Sequence, residues 1–299
     1  MTNRSPSASP AFPVRQFFER FPNEHACLEH IMAVRFGGTV LDCPSCGVPD
    51  VQFHKLRERR VYACPHCRFQ IAPTANTILH DTRTPLVSWF YAMYLFCTTR
   101  HGVSGKELQR QLGVTYKTAW RMGQQIRDLT TLADVSALLS GHIEADEAYV
   151  GGRRPGKRGR GAAGKTVVFG MAERGGPIKT AIVPDAKRAS LREALLTRVE
   201  PGSIVSTDEW MSYGLLTGDG YRHGHVKHAA KEWSRTDPDG VRHSTNHVES
   251  FWLMFKNSIR STHIHISQKH MARYLSEFTF RANHRERENA MFDVLVGAL

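Results

Sequence analysis

Three acidic residues in the second half of the chain have the types and placement that phosphodiester chemistry would need. Asp146 lies in a strand-like run, HIEADEAYV (142–150), and Asp208 in a second, SIVSTDEW (203–210). Glu249 sits near the start of a helix-like segment, NHVESFWLMFKNSIR (246–260), seven residues before Lys256. Two strand-borne aspartates and one helix-borne glutamate can converge on a pair of divalent cations ~3.5–4 Å apart. Such a pair activates a nucleophile on one side of a phosphodiester and stabilises the leaving oxygen on the other. Each acid also has a plainer reading. Alternation puts Glu144 and Asp146 on one strand face, opposite Ile143, Ala145 and Tyr149, and that face could be a solvated acidic edge. Asp208 could cap the turn that follows it. Asn246-x-x-Glu249 has capping-box spacing, with Glu249 reaching back to the first turn. Against this stands the apolar stripe of Val248, Phe251, Trp252, Phe255 and Ile259. At ~100° per residue, Glu249 and Lys256 project from one margin of that stripe, within about 20° of each other.

The cysteines form a second constellation. Cys43-Pro-Ser-Cys46 and Cys64-Pro-His-Cys67 are two knuckles separated by seventeen residues, a spacing that can enclose one Zn2+ tetrahedrally with no open position. Such a site is structural, because a small ribbon buries too little apolar surface to fold alone. VQFHKLRERRVYA between the knuckles reads as the ribbon's strand pairs. His66 lies inside a knuckle whose shell four thiolates already complete. Cys27 and Cys97 read as buried small apolar residues. His223, His225 and His228 read as solvated histidines of an irregular segment rather than as a second metal site.

Composition bounds the rest. The 299 residues carry 40 Lys and Arg against 28 Asp and Glu, a formal charge of +12 that favours a polyanionic partner. No apolar run reaches the ~18–20 residues needed to span a bilayer. MTNRSPSASPAFP has no apolar core and is not a secretory signal, so a cytoplasmic, nucleoid-associated location with reduced thiols is expected.

The elements that must position these residues follow from periodicity. A polar tail over 1–16, disordered in its first thirteen residues, leads into helical segments broken at Pro22, and TPLVSWFYAMYLFCTTR (84–100) is a core helix. SGKELQRQLGVTYKTAWRMGQQIRD (104–128) has helix–turn–helix character. Ser104 with Glu107 starts the first helix and Gly113 supplies the turn. The second begins near Thr115, with Lys117, Arg121 and Arg127 outward and Ala119, Met122 and Ile126 inward. Strands are expected at 142–150, 166–173, 179–184 and 203–208, with a helix from Ser190 to about Val199 before the last. The order β-β-β-α-β, then a later helix, is that of a ribonuclease-H-like domain. Helices at about 269–283 and from 288 close the chain. The expected fold class is α+β, in three parts: a zinc ribbon over 17–80, a helical DNA-binding region over 81–138, and a ribonuclease-H-like domain over 139–299. The basic run GGRRPGKRGRGAAGK (151–165) supplies Arg153, Arg154, Lys157, Arg158 and Arg160 for sequence-independent contact with DNA backbone.

CPSCG, CPHCR, IEADEAYVGG, STDEWMSY, NHVESFWLMFKNSIRSTHIHIS and RYLSEFTFRAN together resemble prokaryotic insertion-sequence transposases of the DDE type with an N-terminal zinc ribbon, the fifteen-ninety-five group (ISXO-two type). The match runs over nearly the whole chain after residue 15. The resemblance implies a DNA transposase acting in DNA recombination, with Asp146, Asp208 and Glu249 as ligands of two catalytic Mg2+ ions and Lys256 on the DNA backbone. It implies terminal inverted repeats and target DNA as partners, read by the ribbon and the 104–128 helices, and a homodimer or larger assembly on DNA. The family's third ligand is variously Asn or Glu, which leaves Asn246 as a rival to Glu249. His228 and His265 match family histidines to which no role is assigned. STHIHIS departs from the family's usual Gly-Thr-Tyr-His-His at the local turn. The alternatives are a non-catalytic zinc-ribbon DNA-binding regulator derived from a transposase, and a nuclease of the same fold that cleaves without strand transfer.

Overall fold

Phe12, Phe17, Phe21, Phe90 and Phe292 pack ring against ring, with centroids 4.9–6.3 Å apart, and draw distant parts of the chain into one core. The computed structural model describes residues 12–133, 137–151, 165–208, 216–285 and 288–299. It is a mixed α+β structure of two compact units, Met1–Ala133 with His284–Leu299, and Asp134–Asn283.

The first unit begins with α1 (Val14–Arg20) and α2 (Glu24–Phe36), separated at Pro22, with the Asn23 side chain accepting from Ala26 N–H at 3.0 Å to cap α2. Short strands β1 (Val40–Leu41) and β2 (Val51–Gln52) pair with each other. β3 (His54–Lys55), β4 (Tyr62–Ala63) and β5 (Gln70–Ile71) form a three-stranded antiparallel sheet. The core helix α3 (Leu86–Thr98) follows, with its buried face at Leu86, Trp89, Phe90 and Met93. α4 (Gly105–Leu112) and α5 (Tyr116–Leu132) make the expected hairpin. Ser104 Oγ accepts from Glu107 N–H, Gly113 takes the left-handed conformation (φ 64°) that ends α4, and Thr115 caps α5.

Three expectations change in this unit. Residues 12–16 are not part of a disordered tail, because Phe12 is buried against Tyr94 and Phe292 and α1 starts at Val14, while the rest of the expected tail lies outside the described residues. α9 (Glu288–Gly297) belongs here rather than to a 139–299 domain, since Phe292 is buried among Phe17, Phe21 and Phe90. Arg127 faces inward, not outward: it is 2% exposed, donates to the Val103 carbonyl at 3.2 Å and lies 5.1 Å from the Phe96 ring centre.

The second unit is built on β6 (His142–Val150), β7 (Thr166–Glu173), β8 (Ile178–Val183), β9 (Ile204–Asp208) and β10 (Arg222–Val226), in the order β10-β9-β6-β7-β8. β6, β7 and β8 are an antiparallel meander, whereas β9 and β10 run parallel to β6. One face packs α6 (Arg188–Leu196) through Ile143, Ala145, Phe169, Leu191, Leu195 and Val205. The other packs α7 (Asn246–Ser258) and α8 (Met271–His284) through Ala148, Val168, Val248, Trp252, Phe255 and Phe278. α6 starts earlier than expected. Lys187, not Ser190, is its N-cap, and Ser190 Oγ instead donates to Asp185 at 2.7 Å. Two short strands, β11 (Arg235–Thr236) and β12 (Arg242–His243), pair within the histidine-rich segment before α7.

Gly170 sets how closely α7 approaches the sheet. It sits on β7 directly opposite Asp146, and a Cβ there would lie 2.6 Å from Trp252 Cζ2 and 3.0 Å from Val248 Cγ2. The indole therefore rests on bare backbone. Gly170→Ala should destabilise the second unit by about 1–3 kcal/mol, the usual cost of overpacking. Adding Trp252→Phe should recover part of that loss in urea unfolding. An unchanged unfolding midpoint for Gly170→Ala would show that α7 is not held at this distance.

Candidate functional site

The four cysteines meet as their spacing required. Cys43 Sγ lies 3.6 Å from Cys67 Sγ and Cys46 Sγ 3.9 Å from Cys64 Sγ, and all four sulfurs fall within 4.8 Å of one another. Tetrahedral Zn–S bonds of 2.3 Å demand sulfur separations of about 3.8 Å, so the cage has the right size for zinc. Both knuckles use the same turn: Gly47 N–H bonds to Cys43 O and Arg68 N–H to Cys64 O, at 2.9 and 3.0 Å. His66 is exposed and outside the cage. Cys27 and Cys97 are buried, as expected, and burial pushes the Cys27 thiol up to about 12.

On the hairpin, Lys117 and Arg121 are exposed on the first two turns of α5, beside exposed Tyr116 and Trp120. Lys106 Nζ stands 4.8 Å over the Tyr116 ring, so α4 adds a cation to the same surface. Arg153, Arg154, Lys157, Arg158 and Arg160 lie outside the described residues.

The acids are brought together by strand geometry. β6 and β9 are parallel neighbours whose pairing runs from His142↔Ile204 to Glu144↔Ser206 and stops two residues short of Asp146 and Asp208. The strands part there, and both aspartates lie on the face that packs α7. Crevices at the carboxyl ends of parallel strands are where open sheets place ligands. Glu249 and Lys256 come from α7, whose apolar side Val248, Phe251, Trp252 and Phe255 is buried on the sheet. Burial, then the carboxylates of Glu147, Asp208 and Glu249, raise Asp146 to about 8. Lys256 is half-buried; burial lowers its pKa, Asp146 raises it, and Arg260 and Lys165 lower it again. Asp146, Asp208, Glu249 and Lys256 thus share one electrostatic neighbourhood. Its carboxylate oxygens are set wider than the sulfurs of the cysteine cage, which among the described residues is the one group whose ligand atoms all fall within 4.8 Å.

The plainer readings resolve differently for each residue. Glu144, on the Asp146 face, is fully occupied: it accepts from Arg174 Nε at 3.2 Å, Ser244 Oγ at 2.8 Å and His247 N–H at 2.7 Å. It is a buried anchor rather than a solvated edge, and it caps α7 from outside the helix. The capping-box expectation at Asn246 and Glu249 is therefore wrong. The N-cap is Thr245, Asn246 is exposed, and Glu249 instead accepts from Thr245 Oγ1 at 2.7 Å and lies 3.0 Å from His228 Nε2. His223, His225 and His228 do not converge. His223 Nε2 lies 2.9 Å from Thr207 Oγ1, and His228 is committed to Glu249. His265 is exposed, and His263 packs edge-on against Tyr274. Sequence reasoning missed Lys165 and Arg260 as companions of Lys256. Lys165 ends the basic run 151–165 and Arg260 stands one helical turn after Lys256, which was the available signal.

Comparison with known proteins agrees with both parts of this architecture. Residues 138–283 match the family model of the ISXO2-like transposase domain, and residues 22–70 match that of the transposase zinc-ribbon domain. An uncharacterized transposase-like protein of Haemophilus influenzae is 28% identical over 109 residues, covering 36% of this chain and 83% of that protein. The chain belongs to the ISXO2-like transposases that carry an N-terminal zinc ribbon. The cysteine cage is their structural zinc site. Among the described residues no helix is long and apolar enough to cross a membrane.

Two outcomes follow. Cys43→Ser should release the bound Zn2+ and unfold the ribbon while the Asp134–Asn283 unit keeps its structure; unchanged zinc content by elemental analysis would sink the four-cysteine site. The second concerns pH. An acid whose pKa rises on folding makes the native state bind more protons than the unfolded one, so stability declines as pH climbs from about 4 to about 8. In buffer without added divalent cations, Asp146→Asn should melt higher than wild type at pH 8, with the gap narrowing by pH 5. A gap independent of pH would mean that Asp146 is not crowded as described.

Proposed function

We propose that the protein is an active DNA transposase in which Asp146, Asp208 and Glu249 hold two Mg2+ ions and Lys256 engages the DNA backbone. The observation that carries this reading is the rise of Asp146 to about 8 beside Asp208 and Glu249, at the point where β6 and β9 part. Hard oxygen donors, one of them kept from ionising first by burial and then by its carboxylate neighbours, are a donor set that lacks positive charge, and they suit a hard divalent cation. Bound there, two Mg2+ ions would supply the charge that makes an attacking oxygen nucleophilic and that stabilises the leaving one.

The chain's own residues do the rest. Asp146 and Asp208 are held on rigid strands, so their carboxylates are oriented before substrate arrives. Glu249 closes the group from the helix. Lys256, poised between Asp146 and the cations Lys165 and Arg260, places an ammonium for a non-bridging phosphate oxygen. In the first reaction a water oxygen bonds to phosphorus at the element's end, the P–O3′ bond breaks and the 3′-oxygen takes up a proton. In the second, that 3′-hydroxyl attacks a target phosphodiester in line and displaces a target 3′-oxygen. The ribbon together with Lys117 and Arg121 of the hairpin would bind terminal inverted repeats. The basic residues of 151–165 would hold flanking or target backbone, and two ends joined at once call for a dimer or larger assembly. A ribonuclease-H-like fold for the second unit is supported by the meander β6-β7-β8, the crossover through α6 and the return of β9 beside β6. A cytoplasmic, nucleoid-associated location belongs to the same reading.

Glu249→Gln should abolish Mg2+-dependent cleavage and strand transfer on end-containing DNA while DNA binding survives. Asn246→Ala should retain activity, with little cost in stability because the exposed Asn246 side chain makes no hydrogen bond among the described residues. An inactive Asn246→Ala beside an active Glu249→Gln would move the third ligand to Asn246. DNA binding without cleavage by the wild type under any divalent cation would favour the non-catalytic regulator.

A further inference from the structure

The acid cluster includes a fourth side chain from an element that carries none of the three acids. β10 runs beside β9 with Val226 opposite Asp208, and two residues beyond, the chain turns at His228–Ala230. The turn is fixed by Lys231 N–H on His228 O at 2.9 Å and by Lys227 N–H on Glu232 Oε2 at 2.9 Å. The Trp233 ring lies against the imidazole, with centroids 5.2 Å apart. This places His228 Nε2 3.0 Å from Glu249 Oε1 and 3.0 Å from Thr245 Oγ1, while Thr245 Oγ1 is 2.7 Å from Glu249 Oε1.

Counting hydrogens fixes the roles. A carboxylate only accepts, so the Thr245 hydroxyl donates to Glu249 and has only acceptor capacity left for the imidazole. His228 Nε2 must therefore carry a hydrogen, shared between Thr245 Oγ1 and Glu249 Oε1. The Thr245 hydroxyl is available for this because α7 is capped by Glu144 rather than by its own N-cap side chain. Both donors fall on Oε1, and among the described residues Oε2 of Glu249 accepts no hydrogen bond.

We propose that His228 is a positioning residue: its Nε2–H, together with the Thr245 hydroxyl, clamps Oε1 of Glu249 so that Oε2 is presented to a divalent cation. The inference rests on Glu249 being a metal ligand. A glutamate on the rim of a helix has three free torsions, and a carboxylate ligand held by outer hydrogen bonds binds its metal better than one left to rotate. The clamp also ties the strand pair bearing Asp208 to the helix bearing Glu249, so two ligands from separate elements are set by one contact.

The test is Mn2+ binding by the zinc-loaded full chain, followed by the electron paramagnetic resonance of free Mn2+. His228→Ala should bind Mn2+ about 10–100-fold more weakly than wild type, the usual cost of losing such a partner. His228→Gln, whose amide nitrogen can reach the same place as Nε2 without charge, should stay within about threefold of wild type. Thr245→Val, which removes the hydroxyl at nearly constant shape, should weaken binding as well and serves if His228→Ala fails to fold. Asp146→Asn separates the two layers of the argument. If it leaves Mn2+ binding unchanged, the acid cluster is not the metal site and the underlying reading fails. If it abolishes binding while folded His228→Ala binds like wild type, that reading stands and the role of His228 is overturned. His228→Gln as weak as His228→Ala would also overturn it, pointing to the imidazole as a ligand in its own right.

Discussion

The buried carboxylate of Glu144 is the contact on which the geometry of the second unit depends. It sits on β6 two residues before Asp146 and takes three donors: a guanidinium, a hydroxyl and the His247 N–H at the start of α7. A buried charge is tolerable only when paired and hydrogen-bonded, and here the pairing joins the sheet to the helix it must carry. A carboxylate at a helix N-terminus also meets the positive end of the helix dipole. Arg174, the counter-charge, reaches further to His142 Nδ1 at 3.2 Å and Ser244 Oγ at 2.9 Å. Removing the acid would therefore loosen the strand, the helix and the segment between them together.

From Arg174 the polar layer continues beneath the site. His142 Nε2 lies 2.7 Å from Ser206 Oγ, Ser206 Oγ lies 2.8 Å from His243 Nδ1, and His243 Nε2 lies 3.2 Å from Asp237. Burial, then Arg174, pulls His142 down to about 4, so it is neutral in this network. Ser206, His243 and Asp237 have the residue types of a hydrolytic triad, yet Ser206 and His243 are fully buried and no substrate can reach the hydroxyl. Their work is to give the irregular segment before α7 a defined place on the sheet. Gly224 makes the same point sterically, since a Cβ there would overlap the His243 ring.

Much of this was legible in the sequence, and the boundary is physical. Strands 142–150 and 166–173 coincide with β6 and β7, because alternation and β-branched residues are local signals. The cysteine cage was legible because ligand spacing is itself a local property. What local pattern cannot see is a partner far along the chain. Arg127 looked like a solvent-facing cation until Phe96 and the Val103 carbonyl were folded over it. Asn246-x-x-Glu249 looked like a capping box because nothing nearby reveals that Glu144, about a hundred residues earlier, takes the cap. α9 follows the second unit in sequence and leaves it in space, since the place of Phe292 is decided by Phe12, Phe17, Phe21 and Phe90. His228 stood out as a histidine in a polar segment that matches a family histidine without an assigned role, and its place beside Glu249 depends on the pairing of β10 with β9.

The same contact that seats α7 also bears on which of its residues can serve as a ligand. With His247 N–H on Glu144 and Val248, Trp252 and Phe255 on the sheet, the rotation of the helix about its axis is fixed at both ends. Asn246 is then left exposed, whereas Glu249 and Lys256 are half-buried and each interacts electrostatically with Asp146. Glu249 has its cross-links from Thr245 and His228, and Asn246 has none among the described residues. An Asn in that ligand position would need the helix turned, and turning it would break the cap on Glu144 and lift Trp252 from Gly170. Under the proposed assignment, the choice of Glu249 is a consequence of how the helix is anchored, settled by packing residues that touch neither metal nor DNA.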